Sequence, residues 1–247
     1  MKLLILIASM ACLTLAAPSG WSPDAAKFYS EVSKTIDKAR RDNPHVPPSC
    51  DLAQAVLPTT SQPLPAIPEG QKLLHVAVGR GVQNYTCASS TTDKPKAIGA
   101  VATLFNASCI ATTYPYLLTL LPNIALQSSN PPLSPTQNLG PNDMTVLGYH
   151  FFSDGTTAVF DLGEDGFADV KKIDAVDAPE TALKGVGDQM TGTVAWLFLQ
   201  AIPSSKGKAK SVYRVNTAGG KPPKTCEGQE EGAVISVQYA AEYWFYG

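Results

Sequence analysis

From Ala233 towards the C-terminus the chain alternates with period two. The odd positions are Ala233, Ile235, Val237, Tyr239, Ala241, Tyr243 and Phe245, while the even ones include Ser236, Gln238 and Glu242. Successive side chains of a strand point to opposite faces, so this run predicts a long strand with one apolar face on a core. Shorter runs of β type precede it at Leu73–Val78, Val82–Cys87, Ala97–Leu104, Val146–Phe152, Thr157–Leu162 and Val170–Ile173, divided by Gly, Asn and Asp. Thr193–Ala201 is apolar almost throughout and suits a buried strand. Ser153-Asp154-Gly155-Thr156 lies between two runs and predicts a hairpin whose Asp-Gly pair supplies a positive φ. Strands without alternating helices imply a mainly β protein, an antiparallel β-sandwich or barrel, rather than a parallel sheet. Charged residues are only 16% of the chain, which also carries 20 Pro and 19 Gly, as suits a loop-rich β protein.

The start of the chain places it in a compartment. Met1-Lys2, the apolar run Leu3–Leu15 and the small residues up to Ala17 form a secretory signal peptide, with cleavage expected after Ala16. The apolar run is too short to span a bilayer. Cys12 leaves with this leader; Cys50, Cys87, Cys109 and Cys226 remain, an even number that reads as two disulfides with three possible connectivities. Asn84-Tyr85-Thr86 and Asn106-Ala107-Ser108 are glycosylation sequons and fit a secreted protein, extracellular or in the cell wall. A glycan on Asn84 needs solvent, which turns Tyr85 and Cys87 inward on the same strand.

Four segments follow: a signal peptide at 1–16, an N-terminal amphipathic helix within 17–46, a Pro-rich connector at 47–68, and a single β-rich domain at 69–247. Ser22-Pro23-Asp24 starts the helix, Phe28, Val32, Ile36 and Ala39 form its apolar stripe, and Asn43-Pro44 ends it. Six prolines punctuate residues 47–68. Ala111–Ile124 suits a short helix, and Gln127–Asp143 is too long for an ordinary connection.

Motifs for known chemistry are mostly missing. The formal net charge of −2 gives no footprint for nucleic acid or an anionic membrane, so neither is expected as a partner. Gly79-Arg80-Gly81-Val82-Gln83-Asn84 approaches a dinucleotide fingerprint, but Asn84 replaces the last glycine and no helix follows. A glycine-flanked turn between two strands is the preferred reading, and no cofactor is expected. Asp161–Gly166 resembles a calcium loop, yet Gly163 takes a ligand position and Lys172 stands where a bidentate Glu belongs. His45, His75 and His150 are scattered, so no metal site is expected, and His75 reads as a satisfied core residue. Asp154, Asp161, Glu164, Asp169 and Glu242 are candidate glycosidase acids, though no spacing selects a pair.

Two segments carry a resemblance. One is Val78-Gly79-Arg80-Gly81-Val82-Gln83-Asn84-Tyr85-Thr86-Cys87. The other runs from Val212-Tyr213-Arg214-Val215-Asn216-Thr217-Ala218-Gly219-Gly220 through Pro222-Pro223 and Cys226 to Tyr239–Tyr246. Over about residues 60–247 the chain resembles the secreted fungal and bacterial family known as domain of unknown function 3455. The resemblance implies a β-rich fold with no established reaction, and it favours Cys87–Cys226 as one bridge, leaving Cys50–Cys109 as the other. Around His150 the relatives' Trp-Glu stretch is replaced by Tyr149-His150-Phe151-Phe152, so the resemblance implies no ligand role there. Some fungal relatives carry a malate dehydrogenase label, which the absence of a Rossmann βαβ unit leaves without physical support.

The resulting expectation is a disulfide-stapled extracellular protein that binds without catalysis, at a cell wall or on a glycan or protein partner. Arg80, Gln83, Tyr85, Asn216 and Thr217 are its candidate ligand-binding residues, since they offer planar donors and an aromatic face. The bland alternative is that Arg80 and Gln83 stitch strands together inside the domain. The rival from another class is a wall-polysaccharide hydrolase using paired carboxylates. The oligomeric state is left open.

Overall fold

A computed structural model describes residues 41, 50–88, 93–127 and 146–247. The expected signal peptide, nearly all of the predicted N-terminal helix and most of the 127–143 segment lie outside the described residues. The rest is a closed antiparallel barrel of eight strands in chain order, with β8 hydrogen-bonded back to β1. The strands are β1 (Leu73–Thr86), β2 (Lys96–Asn106), β3 (Val146–Phe152), β4 (Ala158–Asp161), β5 (Phe167–Val176), β6 (Trp196–Ala201), β7 (Ser211–Gly219) and β8 (Val234–Tyr246). Closure leaves no exposed sheet edge.

The expected barrel is present, and three local expectations are corrected. Leu73–Val78 and Val82–Cys87 are not two strands joined by a glycine turn: β1 runs unbroken through Gly79-Arg80-Gly81. The glycines are there for space. A Cβ on inward-facing Gly79 would lie 2.5 Å from Cε2 of Tyr243, and one on Gly81 would lie 1.9 Å from the Val101 carbonyl oxygen. The 153–156 hairpin forms, but Gly155 is not among the positive-φ glycines. The Asp154 carboxylate instead closes the turn, accepting from the amides of Thr156 at 2.7 Å and Thr157 at 2.8 Å. The helix expected at 111–124 is two helices, α1 (Ser108–Thr113) and α2 (Pro115–Gln127). The residue before a proline is driven out of the helical region, so Tyr114 breaks the run and Pro115 restarts it.

Two cores sit on either side of the barrel wall. Inside are Ala77, Leu104, Phe160, Val170, Val212, Tyr243 and Phe245 among others. Outside, α1 and α2 cover Val76, Val78, Tyr213, Val215, Ala240 and Trp244. The second half of β8 is therefore buried on both faces, where its sequence predicted one. Two disulfides, Cys50–Cys109 and Cys87–Cys226, staple this frame. The first fastens the connector segment to α1; the second ties the end of β1 to the β7–β8 connection. No helix among the described residues is long and apolar enough to cross a membrane.

Candidate functional site

Aromatic side chains pack part of the barrel interior. There Phe160, Tyr243 and Phe245 pack edge to face, with ring centroids 5.3 Å apart in both the Phe160–Tyr243 and Phe160–Phe245 pairs. Elsewhere the inward positions include the small Ala97, Ala100, Ala158 and Ala175 beside Tyr85, Phe152 and Leu197, and an open cavity of about 480 Å³ remains. An eight-stranded barrel has an interior just wide enough for side chains or one small ligand. Here it holds both a packed aromatic cluster and an open cavity.

His150 lines this cavity. It stacks on Phe160 at 4.3 Å, and its Nδ1 lies 2.9 Å from the Val159 carbonyl oxygen. That carbonyl accepts, so Nδ1 carries the proton and Nε2 is left as an acceptor. Burial disfavours the imidazolium and lowers its pKa to about 4 despite the backbone bond. Tyr239 and Tyr243 share a hydroxyl–hydroxyl bond of 2.9 Å, and burial raises the pKa of both. Tyr85 donates to the Gly220 carbonyl at 2.7 Å, with its pKa pushed up to about 12 by burial.

Arg214 projects inward from β7, opposite Leu197 on β6 and Tyr243 on β8. Its Nη2 donates to the Ala195 carbonyl at 2.9 Å. The rim carries Lys172, Lys221 and Asp177. The 193–195 segment of this rim is held by four bonds: Thr193 Oγ1 to Leu183 O at 2.9 Å, Val194 N to Gly219 O at 3.0 Å, Thr217 Oγ1 to Val194 O at 2.7 Å, and the Arg214 bond.

The five candidate ligand residues therefore divide. Gln83 and Tyr85 line the cavity together. Arg80 lies three positions before Gln83, on the opposite face of β1, and points outward beneath α2. It is 1% exposed and donates to the carbonyls of Ala125 at 2.8 Å and Gly81 at 2.9 Å, and to the Gln238 side chain. Its burial lowers its pKa to about 10. Asn216 sits at the β7 bulge with φ 44° and donates to Glu242 Oε1 at 2.7 Å, on the outer face of the wall. Thr217 donates its hydroxyl to the Val194 carbonyl and so fastens the rim.

None of the candidate acids lines the cavity; Asp161 and Asp169 lie two register positions apart on the outer face of the paired strands β4 and β5. Glu242 is fully buried in the outer layer, bonded by Asn216 and by Trp244 Nε1 at 2.9 Å, and burial raises its pKa to about 7. Asp154 serves its hairpin, and those hydrogen bonds hold its carboxyl down at about 2. Asp165, within the near-calcium motif, pairs with His75 and Lys208. Among the described residues the cavity has one carboxylate, Asp177, so the two acids a glycosidase needs do not face each other there. No cluster of three metal-ligating side chains occurs among the described residues.

Sequence reasoning missed Arg214 as a cavity residue, while the alternation of β8 had already put Tyr243 on the core face. The signal was available: Arg214 is the single charge in Val212-Tyr213-Arg214-Val215, a run that otherwise reads as buried strand.

A family model described as a protein of unknown function, DUF3455, matches residues 68–247. A second, described as a protein of unknown function, DUF2990, matches residues 8–65. No curated protein and no solved structure matches the chain.

Proposed function

The chain belongs to the DUF3455 family, and we propose that it is a secreted binding protein that takes a small extracellular ligand into the open cavity of its barrel. The observation that carries this reading is the cavity itself, about 480 Å³ in volume. That is within the range of small-molecule sites, which are mostly apolar with a few placed polar groups. Phe152, Phe160, Leu197 and Leu199 supply the apolar walls, while Gln83, Tyr85, His150 and Arg214 supply the polar groups. Secretion rests on the leader-like N-terminus, the two sequons and the two disulfides, which persist in oxidising compartments. The earlier expectation of a wall or glycan partner narrows to what a lumen of this size admits, about one or two sugar rings or a molecule of similar bulk.

Native mass spectrometry of the secreted, oxidised protein after exposure to an extracellular small-molecule pool tests the reading. Retained small molecules are expected in the wild type and not in Ala158→Trp, which fills the lumen. Equal retention by a folded Ala158→Trp protein overturns the lumen site. A parallel wall-polysaccharide pull-down with an assay for released reducing sugar separates the rival class: sugar release makes the protein a hydrolase.

A further inference from the structure

Among the described residues, the lumen holds a buried guanidinium that forms no ion pair. Arg214 is 8% exposed, and its Nε–H has no hydrogen-bond partner. Gln83, which lines the same cavity on the side of Tyr239, has a buried Nε2 with no hydrogen-bond partner at normal distance. Arg214 lies close enough to Tyr85, Tyr243 and His150 for each to feel its charge. Two further cations, Lys172 and Lys221, stand on the exposed rim against the single carboxylate of Asp177. Among the described residues, ion pairs form at Asp165 with His75 and Lys208, far from this cavity.

A charge taken out of water is costly unless it is paired, and a guanidinium fork matches a carboxylate geometrically. A neutral ligand would leave the Arg214 charge and the free Gln83 donor as they are. An anion would answer both. On the lumen reading above, on which this step rests, we infer that the ligand is an organic carboxylate with an apolar body, its anionic head on Arg214 and its body against Phe152, Phe160 and Leu199. The rim lysines attract it electrostatically into the mouth, and Gln83 donates to the second carboxylate oxygen.

Calorimetric titration of the full secreted chain with 4-phenylbutanoate and with 4-phenylbutan-1-ol tests the anion anchor. The carboxylate is expected to bind roughly ten-fold or more tightly than the alcohol. In Arg214→Met that preference falls to near one. The nitrogen-bound proton resonance of Arg214 Nε in the wild type should shift with the carboxylate and not with the alcohol, a readout that stands even if the variant does not fold. Equal binding of the two probes, or a carboxylate preference that survives in folded Arg214→Met, overturns the anion anchor and leaves the lumen reading in place. Failure of both probes to bind overturns the lumen reading with it.

Discussion

Arg80 Nε donates to the carbonyl oxygen of Ala125 at 2.8 Å, tying the C-terminal turn of α2 to the wall of the barrel. The last carbonyls of a helix lack intrahelical donors and carry the negative end of its dipole, so a buried guanidinium satisfies them and is stabilised in return. This side chain works in the outer layer, away from the lumen. Arg80→Met keeps much of the stem but strands the acceptors at Ala125 and Gln238, and is expected to cost about 2–4 kcal/mol. Urea denaturation measures it. Lumen binding should be unchanged in the folded fraction; native stability with lost binding would return Arg80 to a ligand role.

The two strand glycines should respond differently to alanine. At Gly81 the new methyl meets backbone, the Val101 oxygen at 1.9 Å and the Ala102 Cα at 2.6 Å. Neither can yield without parting β1 from β2, so Gly81→Ala is expected to lose about 3 kcal/mol or more. At Gly79 the obstacle is the Tyr243 ring, which can tilt into the open lumen. Gly79→Ala should therefore cost less stability and weaken ligand binding more. Parallel denaturation and titration of the two variants distinguish them.

Stability against pH should hide two opposed titrations. Burial lowers His150 from 6.5 to about 4. Its contribution is complete above pH 6.5 and is lost as the pH falls towards 4, because the unfolded chain then takes a proton the folded chain refuses. Burial raises Glu242 from 4.5 to about 7. Its contribution is complete below pH 4.5 and is lost as the pH rises through 7. Each is worth on the order of 3 kcal/mol over its range, so the wild type should vary little between pH 4.5 and 6.5. Glu242→Gln should lose stability on acidification through that window, and His150→Phe should gain it. Denaturation midpoints at several pH values provide the check; parallel curves for all three proteins would contradict it.

The two disulfides close loops with sequence separations of 139 and 59 residues. The chain-entropy model assigns each on the order of 4–5 kcal/mol, yet their local effects differ. Cys87–Cys226 anchors the β7–β8 connection at the mouth, where Gly220 also accepts from Tyr85. Removing it with the pair Cys87→Ala and Cys226→Ala should speed proteolysis within 221–233 and weaken lumen binding. Removing Cys50–Cys109 should destabilise the chain with the mouth left intact. Limited proteolysis with mapped cleavage sites tells the two apart.

Much of the wall can be read from residues in order. Val146–Phe152 is a strand with the expected bounds, and the β8 alternation correctly sorts Tyr239, Ala241, Tyr243 and Phe245 to the interior. The same alternation separates Arg80 from Gln83 and Tyr85, since an odd spacing crosses the sheet. Strand length is less legible. Gly79 and Gly81 look like turn residues until the partner that crowds them, Tyr243 or Val101, is known.

The sequence by itself determined the periodicity and the residues that could form staples, because each of these depends on neighbours along the chain. Closure of β8 onto β1, the burial of Ala240 and Trp244 beneath α2, and the meeting of Arg214, His150 and Tyr243 around one cavity were decided only by tertiary structure. The physical reason is that alternation states which side chains share a face but not which strand lies opposite. A lumen exists only once all eight strands have taken their places around it.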